Sequence, residues 1–193
     1  MVILGIALVV AATAGVPSAT PGGLAAAPAV SVENRVLAAQ PGNTLTVEMG
    51  TQTSFTAVDR NHVQGRAVDL QRAADHLRGF VGDEATDLQL APNHITGRVG
   101  ALPVSLDVAR TNGALDVHGV FGRRAVALSL HPNSIDGDVG PCRYTLRNQV
   151  GDYTGTAACG GRPTAVRLEL PVALVTRDDA ELAAIMTALL ASS

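Results

Sequence analysis

Apolar and polar residues alternate with a period of two along most of the chain. Ile95, Gly97 and Val99, followed by Val104, Leu106 and Val108, share one side, while Thr96, Arg98, Ser105 and Asp107 share the other. That period predicts strands with one buried face. Turn centres fall near Pro92-Asn93, Ala101-Leu102, Asn112-Gly113, Arg123-Arg124, Pro132-Asn133, Pro141-Cys142 and Val150-Gly151, nine to eleven residues apart. Such spacing leaves no room for crossover helices. It predicts an all-β protein, an up-and-down antiparallel meander of about a dozen short strands, curled or barrel-like. Leu45 to Met49 and Ser54 to Val58 supply the first two.

An internal repeat lies on top of the alternation. Six hydrophobic-x-Gly triplets recur: Val63-x-Gly65, Leu77-x-Gly79, Ile95-x-Gly97, Val117-x-Gly119, Ile135-x-Gly137 and Tyr153-x-Gly155. Four of them continue with a second Gly three residues on (Gly82, Gly100, Gly122, Gly140) and a Leu nine residues on (Leu88, Leu106, Leu128, Leu146). Glycine weakens a strand interior, so its recurrence at one position on the apolar face calls for a physical reason. Either the sheet coils tightly there or something packs very close to it.

The C-terminus supplies a candidate for close packing. Residues 177–191 read as a helix, with Thr176 as N-cap and Asp179 in the capping-box position. Nearly every side of that helix is apolar, which predicts burial on most faces rather than along one stripe. The expected place is against or within the concave face of the sheet, with its Ala residues facing the glycine strip.

The only two cysteines, Cys142 and Cys159, fall late. The hairpin centred on Asn112-Gly113 is the best type I′ turn in the chain, and its equivalent 38 residues on is centred on Val150-Gly151. Folding about that centre sets Cys142 opposite Cys159. This predicts a cross-strand disulfide stapling the last hairpin, in an oxidising compartment.

The first thirty residues differ from the rest. Val2 to Ala14 is a continuous apolar run, followed by a Pro, Gly, Ala, Ser and Thr stretch to Val30. Residues 1–30 read as a secretory signal and processed linker, with Ala12-Thr13-Ala14 and Ala25-Ala26-Ala27 competing as cleavage sites. No Lys or Arg precedes the run, and a buried N-terminal strand is the other reading. Residues 31–193 then form a single β-domain. The run is shorter than the roughly 20 residues a membrane-spanning helix requires, so no integral span is expected.

Composition narrows the functional classes. Aromatic residues make up 3% of the chain and Trp is absent, and a net charge of -3 with scattered cations offers no footprint for nucleic acid. Five histidines, His62, His76, His94, His118 and His131, are spread along the chain, and His62 and His94 occupy one repeat position beside a turn. Asp107, Asp116 and Asp136 are expected to point outward, as are Arg98 and His118, without a spacing that demands acid-base work. Asp83-Glu84 and Arg123-Arg124 sit at turns. The Gly-x-x-Gly elements end strands rather than open helices, so they do not read as phosphate loops. No catalytic, metal or cofactor constellation emerges. A many-stranded sheet curled over an apolar helix is similar in outline to the half-barrels of periplasmic lipoprotein carriers, a likeness of shape without matching motifs. Two functions are therefore expected to compete: a non-enzymatic exported structural or interaction protein, and a carrier of a hydrophobic or lipid ligand.

Overall fold

The structure is a computed structural model that describes Leu37, Gln40 and residues 42–193. The expected leader, residues 1–30, lies outside the described residues. The first seven strands are β1 (Thr44–Met49), β2 (Gln52–Val58), β3 (His62–Gly65), β4 (Val68–Ala73), β5 (His76–Val81), β6 (Glu84–Ala91) and β7 (His94–Val99). β8 (Leu102–Thr111), β9 (Ala114–Phe121), β10 (Arg124–His131), β11 (Ser134–Val139), β12 (Cys142–Gln149), β13 (Asp152–Cys159) and β14 (Thr164–Glu169) follow. Helices α1 (Val172–Val175) and α2 (Asp179–Ala191) end the chain. Each strand pairs antiparallel with its sequence neighbours, and β1 pairs with β14, with Val47 opposite Leu168. The meander is a closed barrel of fourteen strands.

The alternation gives the closed wall an apolar inside and a polar outside. Leu70, Leu88, Ile95, Leu106, Leu128 and Leu146 are buried on the inner side, and Asp87, Arg98, Asp107, Asp136 and Arg147 stand on the outer side in the register that pairing imposes. An outer-membrane barrel carries the opposite pattern, an apolar band outside. Among the described residues no helix is long and apolar enough to cross a membrane.

A wall of eight strands is about the size its own side chains can fill, and fourteen enclose more than that. α2 occupies the difference. Every residue from Ala180 to Ala191 is buried, and the helix packs against β5, β6, β7, β8, β9 and β11. It begins two residues later than the sequence suggests. Its N-cap is Asp178, whose side chain accepts the backbone N–H of Glu181, whereas the Thr176 hydroxyl donates back to Val172 O at the end of α1. An acid beats Thr here because it also finds a cation, described below.

The glycine strip has a cause other than the helix. Gly79, Gly97, Gly119 and Gly137 have φ between 139° and 150°, a conformation open to glycine and costly for residues with a Cβ. A Cβ on Gly97 would lie 2.1 Å from Asp87 O and 2.9 Å from Leu88 Cα, both backbone atoms of the neighbouring strand. The glycines thus admit the backbone of the preceding strand closer than any side chain would allow, as a tightly coiled wall requires. The Leu of one repeat then fills the space across from the glycine of the next, in the pairs Leu88–Gly97, Leu106–Gly119, Leu128–Gly137 and Leu146–Gly155. The second glycine of each unit, such as Gly100 at φ 60°, opens a two-residue turn. Several turns therefore sit one residue earlier than their expected centres.

Cys142 and Cys159 are direct register partners and form a disulfide with an S–S length of 2.10 Å. It joins β12 to β13, and since β14 follows, it staples the penultimate hairpin rather than the last. Val150 and Gly151 take φ values of 57° and 98°, the type I′ geometry that sets this register. Cys159→Ser should lower unfolding free energy by about 3 kcal/mol, the value for a loop of this size. Denaturant titration with and without reductant checks this, since the variant should lose the reductant sensitivity of the parent.

Candidate functional site

Three places on the barrel concentrate polar chemistry. The first is the mouth where α2 begins. Arg72, two residues beyond the buried Leu70, and Arg110, two beyond the buried Val108, continue the inward register of β4 and β8 to the rim. There they meet the acids of α2. Arg72 Nη1 donates to Asp178 Oδ2 at 3.0 Å and to Glu181 Oε2 at 2.5 Å. Arg110 Nε donates to Asp179 Oδ2 at 3.0 Å, and this carboxylate holds the guanidinium above its usual range. Arg177 donates to Glu181 Oε1, to Ala173 O and to Asp59 O. Asp178, Asp179 and Glu181 also sit at the positive end of the helix dipole, where negative charge is favourable. Three arginines thus lock three carboxylates, leaving a neutral latch beside a cleft of about 410 Å³ between Leu90, Pro92 and Ala180.

At the other end of α2, Tyr144 Oη donates to Leu190 O at 2.8 Å, and burial pushes this hydroxyl above its ordinary range. Thr187, mid-helix, has a fully buried hydroxyl with no hydrogen-bond partner. Thr187→Val keeps the shape and removes that orphan, so it should raise stability by about 1 kcal/mol. A shift of the urea midpoint to higher concentration at constant m-value is the expected observation.

The second place is a set of His–Asp pairs on the outer wall. His62 Nε2 is 2.7 Å from Asp69 Oδ1, His76 Nδ1 is 3.0 Å from Asp87 Oδ1, and His94 Nδ1 is 2.8 Å from Asp107 Oδ1. His118 stands across from Asp107 on the next strand, and His131 Nδ1 accepts the backbone N–H of Asn133 in a turn. Asp136 is held by Arg147, at 2.7 Å. The rings of His62, His76 and His94 are thus oriented by carboxylates, and among the described residues no Ser, Thr or Cys side chain is hydrogen-bonded to any of them. No group of three or more His, Cys, Asp or Glu among the described residues is arranged to hold a metal.

The third place is a shallow cleft of about 330 Å³ on the outer wall, over Gly97. His76, Asp87, Gln89, Thr96 and Arg98 surround it.

Sequence reasoning placed His62 and His94 beside turns, where they are, and Arg98 and His118 outward, where they are. It missed the carboxylate partners and the arginine latch. The latch had a signal: Arg72 and Arg110 are charged residues in the apolar phase of their strands, which requires either a mouth or a buried partner. No family model matches the chain, and neither a curated protein nor a solved structure shows significant similarity to it.

Proposed function

We propose that this chain is a non-enzymatic, exported structural or interaction protein that presents the outer wall of a closed barrel to its partners. The observation that carries the reading is α2: its buried residues occupy the space in which a carrier would hold its ligand. The two clefts described above lie at a charged mouth and on the outer wall, and neither is the apolar chamber that a lipid demands. The Cys142–Cys159 bond supports an oxidising compartment, since such bonds persist mainly outside the cytosol. The repeat supports a structural role, because its residues serve coiling and closure of the wall.

Native mass spectrometry of the exported protein tests this reading against the carrier. The expected spectrum is the bare, oxidised polypeptide. A stoichiometric lipid or other hydrophobic adduct, released on unfolding, overturns it in favour of the carrier.

A further inference from the structure

The outer wall carries five outward-pointing strand arginines, and four of them hold a carboxylate. Arg78 reaches Asp87 at 3.2 Å, Arg143 reaches Asp138 at 2.9 Å, and Arg147 and Arg167 reach Asp136 and Asp152, each at 2.7 Å. Arg98 is the exception among the described residues. It stands directly across from Asp87, yet that carboxylate is engaged from the other side by His76 and Arg78. Their hydrogen bonds, His76 foremost, hold it below the usual carboxylate range. Asp87 is therefore flanked by two guanidiniums and an imidazole, whose other nitrogen faces Asp75 at 3.8 Å, and Arg98 is the cation of this row without a carboxylate of its own.

The surroundings of Arg98 are polar and unengaged. His76, Gln89 and Thr96 form one cross-strand row, next to the row of Arg78, Asp87 and Arg98. Neither the Gln89 amide nor the Thr96 hydroxyl is hydrogen-bonded to another described residue, so both donors and acceptors are open. Gly97, between Thr96 and Arg98, adds backbone to the floor of the cleft of about 330 Å³. That volume is at the small end of ligand sites.

We propose that this cleft binds a hydroxylated carboxylate, a sugar acid, with Arg98 as the anchor. The guanidinium offers a planar pair of donors matched to a carboxylate. Gln89 and Thr96 hydrogen-bond the neighbouring hydroxyls, and Asp87 accepts from one of them. A neutral sugar lacks the anchor. It also lacks a ring to stack on within the cleft, whose lining holds no Phe, Tyr or Trp. The inference rests on the reading of the wall as an interaction surface and names the chemistry that one part of it selects.

Titration of the full chain by heteronuclear NMR with glucuronate, glucose, acetate and phosphate tests the site. Glucuronate should shift the amides of residues 87–89 and 96–98 saturably, and glucose and acetate should bind at least about tenfold more weakly. Arg98→Gln should weaken glucuronate binding by a similar factor at unchanged melting temperature, and Arg143→Gln should leave it intact. Equal binding of acetate or phosphate, no binding of glucuronate, or an Arg98→Gln variant that binds as the parent does would each overturn the proposal. These outcomes are independent of the mass spectrum: a lipid-loaded barrel defeats the interaction reading, whereas a silent cleft defeats only this site.

Discussion

Gly97→Ala should destabilise the barrel by about 4 kcal/mol, far more than the tenths of a kcal/mol expected from strand propensity, which favours Ala over Gly. Two costs add. Holding a residue with a Cβ at φ 144° stores strain of about 1–3 kcal/mol. Placing that Cβ 2.1 Å from Asp87 O forces β6 and β7 apart at a further cost of about 1–3 kcal/mol, because the obstacle is backbone and cannot rotate away. Gly137→Ala should behave alike, with Ala127 O at 2.1 Å. Gly113→Ala is the control: φ is 82° and the added carbon meets nothing within 4 Å, so only strain of about 1 kcal/mol is expected. Urea unfolding of the three variants separates the effects. Equal losses at Gly97 and Gly113 would show that conformation alone is at stake and that the wall has room to yield.

Deletion of residues 177–193 should abolish the cooperative fold. Leu182, Ile185, Met186, Leu189 and Leu190 are each 0–4% exposed. At about 1.5–3 kcal/mol per side chain, their burial contributes about 8–15 kcal/mol, as much as a whole domain usually has in hand. The deletion also removes Arg177, Asp178, Asp179 and Glu181, which leaves Arg72 and Arg110 at the rim without the acids that hold them. The expected result on size-exclusion chromatography is aggregate, with dye binding to exposed apolar surface. A monomeric truncated protein with a parental urea midpoint would show that the barrel closes by itself and that α2 is a passenger.

How much of this was legible before any coordinates depends on the range of the interaction. Alternation such as Val104, Leu106 and Val108 against Ser105 and Asp107 is a local property, and it specified strands, faces and turns. The disulfide was legible too, because a two-residue hairpin turn sets register, and register placed Cys142 against Cys159 without knowledge of the rest. The glycine repeat announced itself, but its reason did not: the clash partner of Gly97 is Asp87 O on the neighbouring strand, an atom that no pattern of side chains encodes. The start of α2 moved from Thr176 to Asp178 for a similar reason. Capping preference ranks Thr and Asp closely, and Arg72, a hundred residues upstream, decided between them.

Closure itself lay beyond the sequence. A curled sheet and a closed barrel have the same alternation and the same hairpins, and they differ only in whether Val47 meets Leu168 across the seam. By itself the sequence determined the all-β meander, its inner and outer faces, the Cys142–Cys159 pairing and an apolar terminal helix. The tertiary structure decided that the wall closes, that α2 fills it, and which charges meet at the mouth. The physical reason is that strand patterning is set by neighbours two residues apart, whereas coil, closure and ion pairing are set by backbone atoms and charges brought together from distant strands.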